Sequence, residues 1–282
     1  MIVLITGTSS GIGLASAVRA AQAGLTTVAT MRDTGRAHAL REAADRAGVT
    51  LDVRQLDVTD SESITVCVEG VTATYGRLDA LVNNAGVANF DPTMEMSTMA
   101  ALRANLEVNF FGVVAVSRVA MPLLRAAGGR LLTIGSVHGA VGQPFNESYA
   151  AAKFAVEGFM ESLAPVAAAH GVRVSVVVPG FVSDTGFGVF PDINRRTISA
   201  ASGPYAPTFA DYLAWVCGAG WEGAGQSRWD VAEVVVRTLA SADPPFRVPT
   251  SDWVAGYLAD KLADQDGSVV QDLARTWIGA DR

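Results

Sequence analysis

The chain has 282 residues, half of them hydrophobic, with a mean hydropathy of +0.29, enough to fill a large buried core and far from the composition of a disordered segment. A net charge of −7 and a pI near 5.0 argue against nucleic acid or an anionic membrane as a partner. Two cysteines, Cys67 and Cys217, provide no disulfide framework, and three scattered histidines (His38, His138, His170) have no metal-ligand spacing.

Residues 2–6 form a short β-branched run that reads as a strand buried on both faces; no signal sequence precedes it, and a cytoplasmic location is expected. No uninterrupted apolar run approaches the roughly 18 residues of a membrane span. The strand ends in Thr6-Gly-Thr-Ser-Ser-Gly-Ile-Gly13, and residues 14–23 read as a helix closed by Gly24. Strand, glycine loop and helix together form a setting in which main-chain N–H groups cradle phosphate. The spacing Gly-x-x-x-Gly-x-Gly differs from the common dinucleotide fingerprint.

A second strand over 25–30 is followed by Met31-Arg32-Asp33. An acid just past this strand would bind a free ribose 2′-hydroxyl and an arginine a 2′-phosphate, so Arg32 favours NADP(H) over NAD(H). Asp33 competes with that reading or caps the next helix. A helix over 35–47, a strand over 50–54, a helix capped by Asp60 or Ser61 and running to Tyr75, and a strand over 78–82 follow, the last ending in Asn83-Asn84-Ala85-Gly86. A long helix over 97–124 carries Asn109, an amide that needs partners among apolar neighbours: an adjacent main chain, or a water used in proton transfer.

The strand at 131–134 ends near Ser136, and thirteen residues later Tyr149 opens an alanine-rich helix with Lys153 four positions on. Residues at i and i+4 share a helix face, so phenol and ammonium point the same way. A nearby cation would pull the phenol down from its ordinary pKa of about 10 toward an acid–base role. The chain supplies nineteen arginines and only two lysines, Lys153 and Lys261, yet lysine stands here, where a compact ammonium able to join a proton relay is useful. His138 lies two residues past Ser136, but a serine-hydrolase elbow needs glycine at position 134, which is Ile134. His138 is instead expected to border the substrate or cap a loop.

A helix to about Ala169 and a strand over 172–178 ending in Pro179-Gly180 complete six strand–helix alternations. The fold class is α/β: a Rossmann-type doubly wound parallel sheet of about seven strands, helices on both faces, expected as one domain over 1–282. Thr6, Arg32, Asp57, Asn83, Ser136 and Pro179 all fall at or just past strand ends, where such sheets bind ligands. Residues 181–229 read as an insertion with two short helical pieces, expected to cover the substrate or form a subunit contact. All five tryptophans lie from Trp215 onward. A helix over 229–240, a short strand within 244–249 and a helical tail over 251–282 follow.

These residues resemble the short-chain dehydrogenase/reductases over essentially residues 1–250. The match is carried by the glycine loop, Asp57-Val58, Asn83-Asn-Ala-Gly86, Asn109, Ser136, Tyr149-x-x-x-Lys153 and Pro179-Gly180. Ala29-Thr-Met-Arg-Asp33, Pro144-Phe-Asn-Glu-Ser-Tyr149, Lys153-Phe-Ala-Val-Glu-Gly158 and Pro244-Pro-Phe-Arg247 resemble the branch holding 17β-hydroxysteroid and retinol dehydrogenases. The resemblance implies hydride transfer between NADP(H) and an apolar carbonyl/alcohol pair, steroid-, retinoid-, lipid- or polyketide-like. It implies Tyr149 as proton donor or acceptor, Ser136 orienting the reacting oxygen, Lys153 tuning the tyrosine and holding ribose, and Asn109 keeping a water.

By the same resemblance the cofactor would be bound by Gly7, Ser9, Ser10, Gly11, Ile12, Gly13, Arg32, Asp57, Val58, Asn83, Ala85 and Gly86. Tyr149, Lys153, Pro179, Gly180, Val182 and Thr185 complete that set. Substrate would meet Ser136, His138, Phe145, Tyr149, Phe181 and Phe187. The family commonly has threonine where this chain has Asp184; either Thr185 serves one residue later, or main chain and Val182 hold the carboxamide. A homodimer or homotetramer follows by analogy. The alternative is a non-catalytic NADP(H) sensor, which usually lacks the tyrosine or lysine retained here.

Overall fold

The structure is a computed structural model that describes residues 1–88, 92–187, 192–218 and 223–263, with Val269, Asp272 and Thr276, the side chains of 192–195 excepted. Seven strands form one sheet in the order β3-β2-β1-β4-β5-β6-β7, every pair parallel. They are β1 (Ile2–Ile5), β2 (Thr26–Met31), β3 (Asp52–Gln55), β4 (Ala80–Asn83), β5 (Arg130–Ile134), β6 (Arg173–Val178) and β7 (Arg247–Pro249). The doubly wound parallel architecture is the one expected from the alternation of elements.

Helices cover both faces, as a parallel sheet requires. Alternate residues of the central strands split into two cores. Leu4, Leu81, Leu131 and Val176 face α3 (Ser61–Tyr75), α5 (Gly112–Ala127) and α6 (Glu147–Ala168). Val3, Ile5, Val82, Leu132 and Val177 face α1 (Gly11–Gln22), α2 (His38–Ala47) and α9 (Arg228–Ala240). Full burial of each such aliphatic side chain contributes roughly 1.5–3 kcal/mol.

Several boundaries differ from the sequence expectation for local reasons. The helix expected over 35–47 is broken: Asp33 accepts a hydrogen bond from Gly35 N at 2.9 Å and caps a 3₁₀ turn, Thr34–Arg36, before α2 begins. The long helix is α4 (Met99–Leu106), a π-helical stretch at Glu107–Phe111, and α5, in one continuous run. That run, Met99–Ala127, is long and apolar enough to cross a membrane, a property the sequence did not suggest. Its inner residues Val113, Val116, Ala120 and Leu124 are nevertheless buried against the sheet. The last strand shrinks to three residues because Pro244 and Pro245 have no N–H to give a ladder.

Between β6 and α9 lie α7 (Asp192–Ala201) and α8 (Ala206–Cys217), and α10 (Asp252–Ala263) follows β7. Trp221 and Trp277, and most of the tail past Ala263, fall outside the described residues.

Candidate active site

A cleft of about 730 Å³ opens at the carboxyl ends of the strands. Its floor is the glycine loop. Gly7 and Gly11 have φ of +71° and +59°, in the left-handed region that favours glycine. A Cβ on Gly13 would sit 2.3 Å from both Asn84 Nδ2 and Gly7 O, and one on Gly7 would lie 2.7 Å from Ala85 Cα. The loop can therefore pack this closely only without side chains. Ser10 is the N-cap of α1 but makes no side-chain cap bond, so the first-turn N–H groups are left facing the cleft.

The loop is clamped from β4. Thr6 Oγ1 accepts from Asn84 N and Ala85 N, both at 3.0 Å. Asn84 Nδ2 donates to Thr6 O at 2.8 Å and Gly7 O at 3.0 Å. Asn84 thus supports the floor, whereas Asn83, the expected ribose contact, turns the other way and donates to Ser117 Oγ at 2.8 Å within the core. Consecutive residues of an extended strand face opposite sides, which is why two adjacent asparagines divide in this manner. Ala85 and Gly86 line the cleft as expected.

At one end stand Met31, Arg32 and Arg36, with Asp57, Val58 and Thr59 beside them. Asp57 Oδ1 is engaged by Thr59 N at 2.9 Å and Thr59 Oγ1 at 2.8 Å, which holds the loop after β3 in shape. Asp33 also lines this end, its Oδ1 taking the capping bond from Gly35 N, so two guanidinium groups stand beside one carboxylate.

The opposite end carries Ser136, Tyr149 and Lys153. Ser136 caps the 3₁₀ turn Val137–Gly139, its hydroxyl accepting from His138 N at 3.1 Å, and also hydrogen-bonds Tyr149. The serine hydroxyl meets the histidine main chain, and the ring Nδ1 lies 3.4 Å from Val141 O. Lys153 Nζ donates to Ile134 O at 2.9 Å and lies 5.6 Å from the centre of the Tyr149 ring.

Burial depresses Lys153 to about 8 and His138 to about 4. Burial raises Tyr149 above the ordinary phenol range, and the hydrogen bond from Ser136 works against that rise. The sequence reading put the lysine's charge first. In the folded protein desolvation of the phenol dominates, because both groups share one dry wall. A phenol so placed is protonated at neutral pH.

Asn109 is fully buried and does not line the cleft. Its Oδ1 accepts from Val87 N at 3.0 Å, and its Nδ2 donates to Val87 O at 2.9 Å and Asn105 Oδ1 at 2.6 Å. The side chain therefore braces the 84–87 segment.

Pro179, Gly180, Phe181, Val182, Thr185 and Phe187 form the remaining wall. Asp184, which stands where threonine was expected, accepts from Arg228 N at 2.7 Å and pairs with Arg228 Nε at 3.0 Å. It pins the segment to α9 and leaves Thr185 in the cleft, its Cγ2 only 3.6 Å from where a Gly11 Cβ would be. The Phe187 and Tyr149 rings are 5.7 Å apart, edge to face.

Phe145, expected on the substrate, is instead buried with Phe209 at 5.0 Å and Tyr212 at 5.5 Å, outside the cleft wall. Its φ of +57° lies in the left-handed region that a bulky residue rarely adopts. Asn84, Arg36, Gln143, Asn146 and Val216 line the cleft without having been singled out; for Asn84 the signal was its place beside Asn83 and Gly86.

A model of the short chain dehydrogenase family matches residues 1–189. Retinol dehydrogenase 8 of Bos taurus is 37% identical over 281 residues, covering 95% of this chain and 86% of the relative. Human 17-beta-hydroxysteroid dehydrogenase type 1 is 36% identical over 274 residues, covering 95% and 82%. Among solved structures, a variant of actinorhodin polyketide ketoreductase with NADPH superposes with a TM-score of 0.76 at 26% identity, over 91% of this chain and 97% of that one.

Proposed function

Because the chain belongs to the short-chain dehydrogenase family, we propose that it is an NADP(H)-dependent oxidoreductase acting on the carbonyl/alcohol group of an apolar substrate. The observation that carries this reading is the convergence of Ser136, Tyr149 and Lys153 on one wall of the cleft whose floor is the glycine loop. The names of the relatives support a steroid-, retinoid- or polyketide-like substrate.

The cleft suits the cofactor. Its side-chain-free floor accepts a pyrophosphate on main-chain N–H groups, and Arg32 and Arg36 complement a 2′-phosphate through charge-assisted hydrogen bonds. NADPH, when bound, supplies the hydride. Ser136 and Tyr149 hold the substrate oxygen between two hydroxyls, and Tyr149 gives that oxygen its proton in reduction or takes it in oxidation. Lys153, fixed to Ile134 O, stabilises negative charge on the phenol oxygen after the proton has left. Thr185, beside the residue that the Arg228 pair draws away, would bind the carboxamide.

The residue 181–229 insertion supplies part of the substrate wall within a single domain, consistent with Val216 of α8 lining the cleft. A homodimer or homotetramer accounts for Phe111, Phe154 and Phe159, exposed on neighbouring helices. The unpaired Cys67 and the exposed, unpaired Cys217 suit the reducing cytoplasm. The test is oxidation of NADPH, with NADH alongside, over a panel of steroid ketones, retinal, long-chain ketones and small aldehydes. Turnover with NADPH that Tyr149→Phe abolishes is expected; no binding of either nucleotide overturns the reading.

A further inference from the structure

The wall between Ser136 and Tyr149 is not purely apolar. Gln143 and Asn146 both line the cleft while only 6% and 2% exposed. Asn146 Nδ2 donates to Gln143 Oε1 at 2.9 Å, and Asn146 Oδ1 has no partner. A buried acceptor left unmatched is costly, and few are retained without cause. The Gln143 amide also approaches the Tyr212 hydroxyl without the geometry of a full hydrogen bond, so that hydroxyl too is unmatched.

Helix capping does not explain the asparagine. Asn146 occupies the N-cap of α6, where its side chain would ordinarily accept from the first-turn N–H groups, yet it makes no such bond. The residue before it, Phe145, holds a φ of +57°, a conformation that a bulky side chain rarely adopts. Its ring is locked under Phe209 and Tyr212. The anchored turn sends the amide into the cleft rather than onto the helix end.

We propose that Gln143 and Asn146 form a hydrogen-bonding subsite for a second polar group of the substrate, which is an apolar ketone or alcohol also bearing a hydroxyl a few bonds from the reacting carbon. The proposal rests on the oxidoreductase reading above. Asn146 is the N-cap of α6 and Tyr149 stands three residues later in its first turn, and both side chains line the cleft at that helix end. That spacing sets the short separation between the substrate's two oxygens. A hydroxyl also answers the ambiguity of carboxamides: were both amides turned over, Asn146 would present an unmatched N–H instead, and a hydroxyl can donate or accept.

The test uses one long-chain methyl ketone and its β-hydroxy counterpart. Turnover is measured with NADPH, and binding is measured by calorimetry to protein saturated with NADP⁺, which cannot reduce the ketone; the β-hydroxy counterpart carries its hydroxyl on a tertiary carbon, so NADP⁺ cannot oxidise it either. In the unmodified protein the hydroxyketone is expected to bind and turn over at least about tenfold better than the deoxy ketone. Asn146→Ala is expected to bring that ratio close to one. Should that variant fold poorly, Gln143→Met, which unties the Asn146 amide, is expected to lower the ratio as well.

Equal treatment of the two ketones by the unmodified protein overturns the subsite and leaves a trapped water as the occupant, as does a preference that Asn146→Ala leaves intact. Turnover without preference removes the subsite and keeps the oxidoreductase. Preference in binding without turnover does the reverse. Binding of neither ketone removes the subsite as proposed and leaves the oxidoreductase reading to the wider panel.

Discussion

Lys153 Nζ donates to the main-chain oxygen of Ile134 at 2.9 Å, tying the ammonium to the tip of β5 two residues before Ser136. The bond joins the strand that ends at the serine to the helix that carries the tyrosine. Lys153→Met is expected to lower kcat by roughly 10²–10⁴-fold. Lys153→Arg should not restore it, since a planar fork cannot occupy the same buried point. Burial has already brought the lysine down to about 8. Its charge is present below that pH and lost above it, so kcat/KM for reduction should decline as pH rises through about 8. A profile flat to pH 10 would contradict this.

His138 makes the folded protein sensitive to acid. Its pKa falls from 6.5 to about 4 through burial. Between those values the unfolded chain takes up a proton that the folded protein refuses, so stability falls as pH falls through that window and is unaffected above it. Denaturant titrations at pH 7 and pH 4.5 should show a loss of about 2–3 kcal/mol. His138→Phe should flatten that difference.

Arg32 and Arg36 carry the cofactor preference in this account, beside Asp33, whose Oδ1 caps the following turn. Arg32→Ala is expected to raise KM for NADPH about tenfold or more while changing KM for NADH little. Equal effects on the two nucleotides would remove the 2′-phosphate contact.

Two glycine substitutions should move stability in opposite directions. In Gly13→Ala the new methyl meets Asn84 Nδ2 and Gly7 O at 2.3 Å, and the backbone oxygen has nowhere to retreat. A loss of roughly 2–3 kcal/mol is expected, together with loss of cofactor binding. Gly158 lies within α6 with nothing within 4 Å of an added Cβ, so Gly158→Ala should gain about 0.5–1 kcal/mol. Thermal melts with and without NADPH distinguish the two.

The parallel sheet and the Ser136–Tyr149–Lys153 wall were legible because they depend on chemistry that spacing exposes. Apolar runs mark the strands, and Tyr149 and Lys153 share a face by helical geometry alone. Side-chain direction at strand ends was less legible. Asn83 and Asn84 are the same residue type one step apart, and only the β4 register decides which meets the glycine loop. Phe145 left the substrate wall because of a positive φ that no composition signals. Asp184 took a structural partner, Arg228, 44 residues away in sequence, a contact invisible to local pattern.

Hydride transfer itself is the central claim, and isotope transfer tests it most directly. NADPH carrying deuterium in place of both hydrogens on its hydride-donating carbon is incubated with the best ketone of the panel, and the alcohol is examined by mass spectrometry. The account predicts one deuterium on the carbinol carbon, formed by the unmodified protein and not by Tyr149→Phe. An alcohol without deuterium, or product formed equally fast by the variant, would contradict it.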